Sequence, residues 1–285
     1  MSENGRPLQI GQINYTNAWP LFYDFPGAAL EGRVEMIRRV PSELNRGLAE
    51  GNIDLSAVSS FAYAEHADKL LLLPDLSVSS DGKVGSILLF HRVPVRQLDG
   101  RSIAVTTTSA TSVNLLKILM HKYYEVSPVY EPSTPNLDAM MECCEAALLI
   151  GDDAIRAEWA NKGRYLVTDL GEQWKQFSGY GMTYAVWALR RDAADRYPRL
   201  IADIVQEFQR CKQMGLTLPQ DMIHRAMLQI GGSERFWKQY FSGLRYDFGA
   251  AEKAGLTLYF RLAYELGLLP RLVEPVLWQE SQDSW

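Results

Sequence analysis

With 285 residues, 47% hydrophobic and 22% charged, the chain has an ordinary globular composition and is long enough for one large or two medium α/β domains of about 100–200 residues each. Its net charge of -5 comes from 29 basic and 34 acidic residues spread without a basic, aromatic-interleaved block, which argues against nucleic acid as a partner. Three cysteines and four scattered histidines give neither a disulfide framework nor metal-ligand spacing, so no metal or other cofactor is expected and a reducing compartment fits.

The start MSENGRPLQIGQ lacks the basic and apolar parts of a signal peptide, and no run reaches about 18 apolar residues; a cytoplasmic protein without membrane insertion is expected. Leu8 to Ile13 reads as a first strand, followed by the polar and aromatic turn NYTNAWPL. Open α/β sheets place ligands at such strand ends, and the Asn17 amide can both donate and accept there, or simply hold its own turn. Val34 to Val40 is a second strand; Pro41 and Ser42 open a helix to Ala49 with Leu44 and Leu48 on one face. Ile53 to Val58 is a strand running into Ser59 and Ser60, a hydroxyl pair that fits either a helix cap or a ligand contact.

Leu70 to Leu76 is an apolar strand broken by Pro74, and Ser86 begins another strand after the Gly82–Gly85 loop, placed to donate to an anion or to face solvent. No GxSxG elbow surrounds it, which argues against a serine nucleophile. Six of the seven residues from Thr106 to Ser112 carry a hydroxyl, between the strand Ser102 to Val105 and a helix to Tyr124. A helix start has unpaired N–H groups and a partial positive charge, so Thr108, Ser109, Ala110, Thr111 and Ser112 form a receptor for a carboxylate, or a helix cap. A strand near Val129, a helix Leu137 to Cys144 and the buried strand Ala146 to Ile150 follow. Asp152, at the next helix start, suits a general base, a partner for a substrate hydroxyl, or an N-cap.

The segment Ser178 to Arg191 is a turn and an apolar strand returning the chain to the first domain. The remainder is helical, at Tyr197 to Met214, Pro219 to Gly231, Ser233 to Gly243 and Gly249 to Gly267, with Phe236, Trp237, Tyr240 and Phe241 assigned to packing. Two crossovers, near Phe90 and Val186, predict a clamshell: residues 1–92 and 188–285 form a discontinuous lobe, 93–187 an inserted one, and the polar strand ends meet in the cleft.

GQINYTNAWPL, PSELNRGLAEGNIDLSAVSSFAYA, LPDLSVSSDGKVGSILLFHR, TSATS and LLIGDDAI together resemble the chorismate dehydratases of the futalosine route to menaquinone, over about residues 8 to 190. The second hinge departs from that family, with Gly181 and Met182 where Pro-Phe is usual. The resemblance implies the periplasmic-binding-protein type II fold and loss of water from the dicarboxylate chorismate to give 3-[(1-carboxyvinyl)oxy]benzoate. On this resemblance Asn17 positions the departing hydroxyl or the enolpyruvyl group, Ser86 and the turn Ser109 to Ser112 hold carboxylate, and the proton goes to Asp152 or to the substrate's own carboxylate. A 1,4-dihydroxy-6-naphthoate synthase of the same pathway and a solute-binding protein without catalysis are the alternatives, and a homodimer stays open.

Overall fold

The computed structural model describes residues 6–39 and 41–280. Val40, the expected end of the second strand, lies outside the described residues, as do residues 1–5 and 281–285 and the side chain of Ser42. Ten short, mostly apolar runs form strands: β1 (Leu8–Gln12), β2 (Val34–Arg38), β3 (Leu55–Ser59), β4 (Leu70–Ser80), β5 (Ile87–His91), β6 (Ser102–Thr106), β7 (Val129–Ser133), β8 (Ala146–Ile150), β9 (Leu166–Asp169) and β10 (Met182–Arg190).

They pair into two five-stranded sheets, β2-β1-β3-β10-β4 and β7-β6-β8-β5-β9. In each sheet the first three strands are parallel, and the fourth, β10 or β5, runs antiparallel to both neighbours. The sheets therefore exchange strands: β5 follows β4 but belongs to the second sheet, and β10 returns to the first. Both exchanges fall earlier than the sequence reading places them, at residues 81–86 and 179–181, so Ile87–His91 pairs in the second sheet and Met182–Arg190 in the first. All five residues of β5 are buried, a pattern that suits either lobe; hydrogen-bond partners alone decide its sheet.

Pro74 does not break its strand. β4 continues to Ser80 across an irregularity in which Leu72 faces Ala188 and the next pairing is Ser77 with Val186. An edge strand tolerates a residue without N–H, and the buried Lys212 ammonium donates to the Asp75 carbonyl (2.8 Å) and carboxylate (2.6 Å), holding Asp75 at φ 54°. The apolar periodicity of the C-terminal part yields helices at Pro198–Gly215, Gln220–Ile230, Glu234–Gly243 and Ala250–Glu265. At the second exchange, a Cβ on Gly181 would lie 2.8 Å from the Ser80 carbonyl oxygen, so the strand can approach β4 there only as glycine.

Candidate functional site

The side chains expected to be functional come from strand ends between the two sheets. After β1 the chain turns into the 3-10 helix Thr16–Phe22. Thr16 is fully buried, and its hydroxyl donates to Asp152 Oδ1 at 2.5 Å, joining the first lobe to the second. Asp152 is the second residue of the helix Gly151–Asn161, which starts at the end of β8. Its carboxylate caps no helix; the N-cap position is Ile150, which has no side-chain cap. Burial pushes the Asp152 pKa up, against the Thr16 hydroxyl and backbone N–H, which favour the charged form. The helix start beside it also favours a negative charge.

Tyr15 completes this junction. A Cβ on Gly151 would lie 2.8 Å from Tyr15 Cδ1, and Gly151 has φ 58°, so glycine serves both the close approach and the left-handed backbone. Burial raises the pKa of the Tyr15 phenol, and the Thr108 side chain of the hydroxyl turn acts on it in the opposite direction. Further along the same helix, Arg156 donates to the Gln229 carbonyl (3.1 Å), and Trp159 packs edge-on against Phe236 at 4.8 Å. One helix of the second lobe thus closes on the first along its length.

The hydroxyl turn divides its work. Ser109 caps the helix Ala110–Leu119 by accepting from the Ser112 N–H (3.2 Å) and donates to the Ser112 hydroxyl (3.1 Å). Thr111 Oγ1 accepts from the Phe61 N–H at 2.9 Å, a second bond between the lobes, and its carbonyl accepts from the Tyr259 hydroxyl at 3.0 Å. The Thr108 hydroxyl pairs with that of Thr106 at 2.8 Å, and Ala110 is exposed. In the first lobe Ser59 caps the helix Ser60–Glu65, and the Ser60 hydroxyl donates to the Thr183 carbonyl at 2.8 Å. Ser59, Ser60, Ser109 and Thr111 therefore carry structural bonds at these junctions.

Two expected residues stand differently. The Asn17 side-chain oxygen is buried with no hydrogen-bond partner in the protein, one residue along the chain from Thr16. Buried polar atoms are usually satisfied, and Asn17 Oδ1 is one of five exceptions among the described residues. Ser86 is 1% exposed; its carbonyl accepts from the Gly151 N–H (2.6 Å), and its hydroxyl accepts from Tyr240 (2.9 Å). The loop before it is held by Asp169, whose carboxylate accepts from the N–H groups of Val84 and Gly85 as well as capping the helix Leu170–Ser178.

The structure thus brings Ser86 and Asp152 to one interlobe seam through the Gly151–Ser86 and Thr16–Asp152 bonds, with Thr108, Ser109, Thr111 and Ser112 at the adjoining helix start and Asn17 one residue along the chain from Thr16. Tyr15, Thr16, Asp169 and Tyr240 belong to the same seam or its frame. An aspartate directly before a helix is a readable signal for Asp169. Nothing local in the sequence joins Tyr240 to Ser86 or Thr16 to Asp152, which are 154 and 136 residues apart. Among the described residues no three or more His, Cys, Asp or Glu side chains gather as metal ligands, and no helix is long and apolar enough to cross a membrane.

Two sheets that exchange strands around a polar seam define the two-lobed periplasmic-binding-protein class of fold. An Archaeoglobus fulgidus protein superposes with TM-score 0.72 at 20% identity, covering 93% of this chain and 100% of that one. The aliphatic sulphonate binding protein of Escherichia coli superposes with TM-score 0.68 at 17% identity, covering 95% and 96%. A family model described as menaquinone biosynthesis matches residues 8–265, and the chain belongs to that family. A chorismate dehydratase of Thermus thermophilus is 34% identical over 92% of this chain and 96% of its own length. A 1,4-dihydroxy-6-naphtoate synthase of the same organism is 27% identical over 92% and 95%.

Proposed function

We propose that this protein is a carbon–oxygen lyase that removes water from chorismate to give 3-[(1-carboxyvinyl)oxy]benzoate. The observation that carries this reading is the 34% identity to a chorismate dehydratase along nearly the whole of both chains, above the 27% to the naphtoate synthase. The unpartnered Asn17 acceptor, one residue from the Thr16 contact between the lobes, supports it, because a substrate hydroxyl is a donor it can accept from.

The reaction asks little of the protein. A ring C–H bond breaks, its electron pair forms a ring double bond, and the neighbouring C–O bond breaks; the departing hydroxide takes up the proton lost from the ring and leaves as water, and the ring becomes aromatic. Aromatisation supplies the driving force, and no oxidant or reductant enters the balance. The seam's task is to hold a dianion in one conformation and keep bulk water away.

In this reading the Ser86 hydroxyl and the N-terminus of the helix Ala110–Leu119, with Thr108, Ser109 and Ser112 around it, receive carboxylate oxygens. Thr111, Ser59 and Ser60 hold the two lobes and the strand ends that carry these groups. Asn17 accepts from the departing hydroxyl and keeps it aligned. Asp152 acts as a clasp, with its Oδ1 accepting from the Thr16 hydroxyl, and the proton is assigned to the substrate's own enolpyruvyl carboxylate.

The test is incubation of the purified protein with chorismate and ultraviolet detection of a new aromatic acid. Unchanged chorismate, with turnover of a cyclised futalosine instead, would move the assignment to the naphthoate synthase reaction.

A further inference from the structure

Sequence periodicity assigns Tyr240 to packing, and its ring does pack: it stacks on Phe236 (6.0 Å, 6° between planes) and meets Trp237 and Phe241 at 5.7 and 5.6 Å. Its hydroxyl has a separate task. It reaches out of the helix Glu234–Gly243 and donates to Ser86 Oγ at 2.9 Å, in a place where both residues are buried. Burial holds the phenol far above its ordinary pKa, so it stays protonated and remains a donor.

A serine hydroxyl has one proton and two lone pairs. With Tyr240 filling one lone pair, the Ser86 proton must point elsewhere, and among the described residues Ser86 Oγ has no acceptor. The backbone that carries Ser86 is held on both sides. Its carbonyl is held by the Gly151 N–H at 2.6 Å, and the two residues before it are held by the Asp169 carboxylate at 2.7 to 3.1 Å. The hydroxyl is therefore a donor whose proton is uncommitted, on an oxygen already polarised by the donor behind it, and such chains strengthen the terminal bond.

We propose that Tyr240 is a positioning residue that acts through Ser86, fixing its hydroxyl as a donor to an anionic oxygen of the bound dicarboxylate. The inference rests on the function proposed above and adds a residue from the C-terminal helices to a site otherwise built from strand ends. It also explains why a tyrosine stands at position 240 within an aromatic cluster that a phenylalanine would fill equally well.

The experiment is a double-mutant cycle on the full-length protein with Tyr240→Phe, Ser86→Ala and the pair, reading kcat and KM for chorismate together with Tm. Tyr240→Phe keeps the ring stack, and its Tm is expected within a few degrees of the parent. The single change is expected to lower kcat/KM about tenfold, the worth of one hydrogen bond in the bound complex. In the Ser86→Ala background the same change is expected to alter kcat/KM less than twofold, because its target is gone.

An equal loss in both backgrounds would make Tyr240 a packing residue and overturn the proposal, as would full activity of Tyr240→Phe with Ser86 intact. The parent is measured first. If it leaves chorismate unchanged, the proposed reaction fails, and the cycle is read instead on Kd for chorismate by calorimetry, where the same non-additivity is required. A parent that neither turns over nor binds chorismate overturns both.

Discussion

Replacing Asp152 by asparagine removes the charge while keeping the side chain's size and an oxygen for the Thr16 hydroxyl, so it separates a clasp from a proton acceptor. A side-chain base typically contributes about 10²- to 10⁴-fold in rate. A clasp loses less. A hydrogen bond to a charged partner is worth about 1.5–3 kcal/mol and a neutral one about 0.5–1.5, so the exchange costs about 1 kcal/mol, or roughly fivefold in an equilibrium constant. Relief from burying a carboxylate, whose pKa burial has pushed up, acts in the opposite direction. Asp152→Asn is therefore expected to keep kcat within about tenfold of the parent.

The sign of the pH dependence follows from the raised pKa. The folded state holds the Asp152 proton more tightly than the unfolded one, so this stabilisation is full below the ordinary value of 3.8 and is lost as pH rises through the folded value. Removing the charge abolishes that loss, and the melting temperature of Asp152→Asn relative to the parent should be higher at neutral pH than near pH 4. The assay is appearance of the aromatic acid in the ultraviolet, with thermal melts at both pH values. A rate loss of about 10³-fold or more with an unchanged melt would make Asp152 the base and refute the clasp.

Thr16→Val keeps the buried shape but leaves the carboxylate without its hydroxyl donor. It should cost about 2 kcal/mol, or about 3 °C in Tm for a chain of this length, with a smaller deficit as acid neutralises Asp152; an unchanged Tm at pH 7 would remove the Thr16 bond from the account. Asn17→Ala should lower dehydration more than about 10²-fold while leaving Tm nearly unchanged, because the Asn17 oxygen has no protein partner to lose; full activity would take Asn17 out of the site. Gly151→Ala sets a Cβ against Tyr15 Cδ1 and strains a backbone at φ 58°. A destabilisation of about 1–3 kcal/mol is expected by chemical denaturation, and a variant as stable as the parent would show that the lobes need not meet as tightly as this contact requires.

What local sequence determined is what local physics governs. The run Ala146–Ile150 is a strand at both bounds of the reading, and the four C-terminal helices fall within one or two residues of where their apolar period begins and ends. The hydroxyl pair at Ser59 and the turn at Ser109 do cap helices, as short polar side chains at such junctions do. The polar strand ends at Asn17, Ser86, the hydroxyl turn and Asp152 were legible as candidates for the cleft, and the resemblance to a known family added an expected role for each.

Only the tertiary structure decided which lobe each exchanged strand joins. It alone carried β4 past Pro74, where a buried Lys212 from a helix more than a hundred residues away supports the irregular strand. It turned Asp152 from a cap into a contact between lobes, and Tyr240 from a core ring into the donor behind Ser86. The physical reason is one of range. Helix period, strand alternation and capping are satisfied within a few neighbours, whereas a buried polar atom is satisfied by whatever the fold brings beside it.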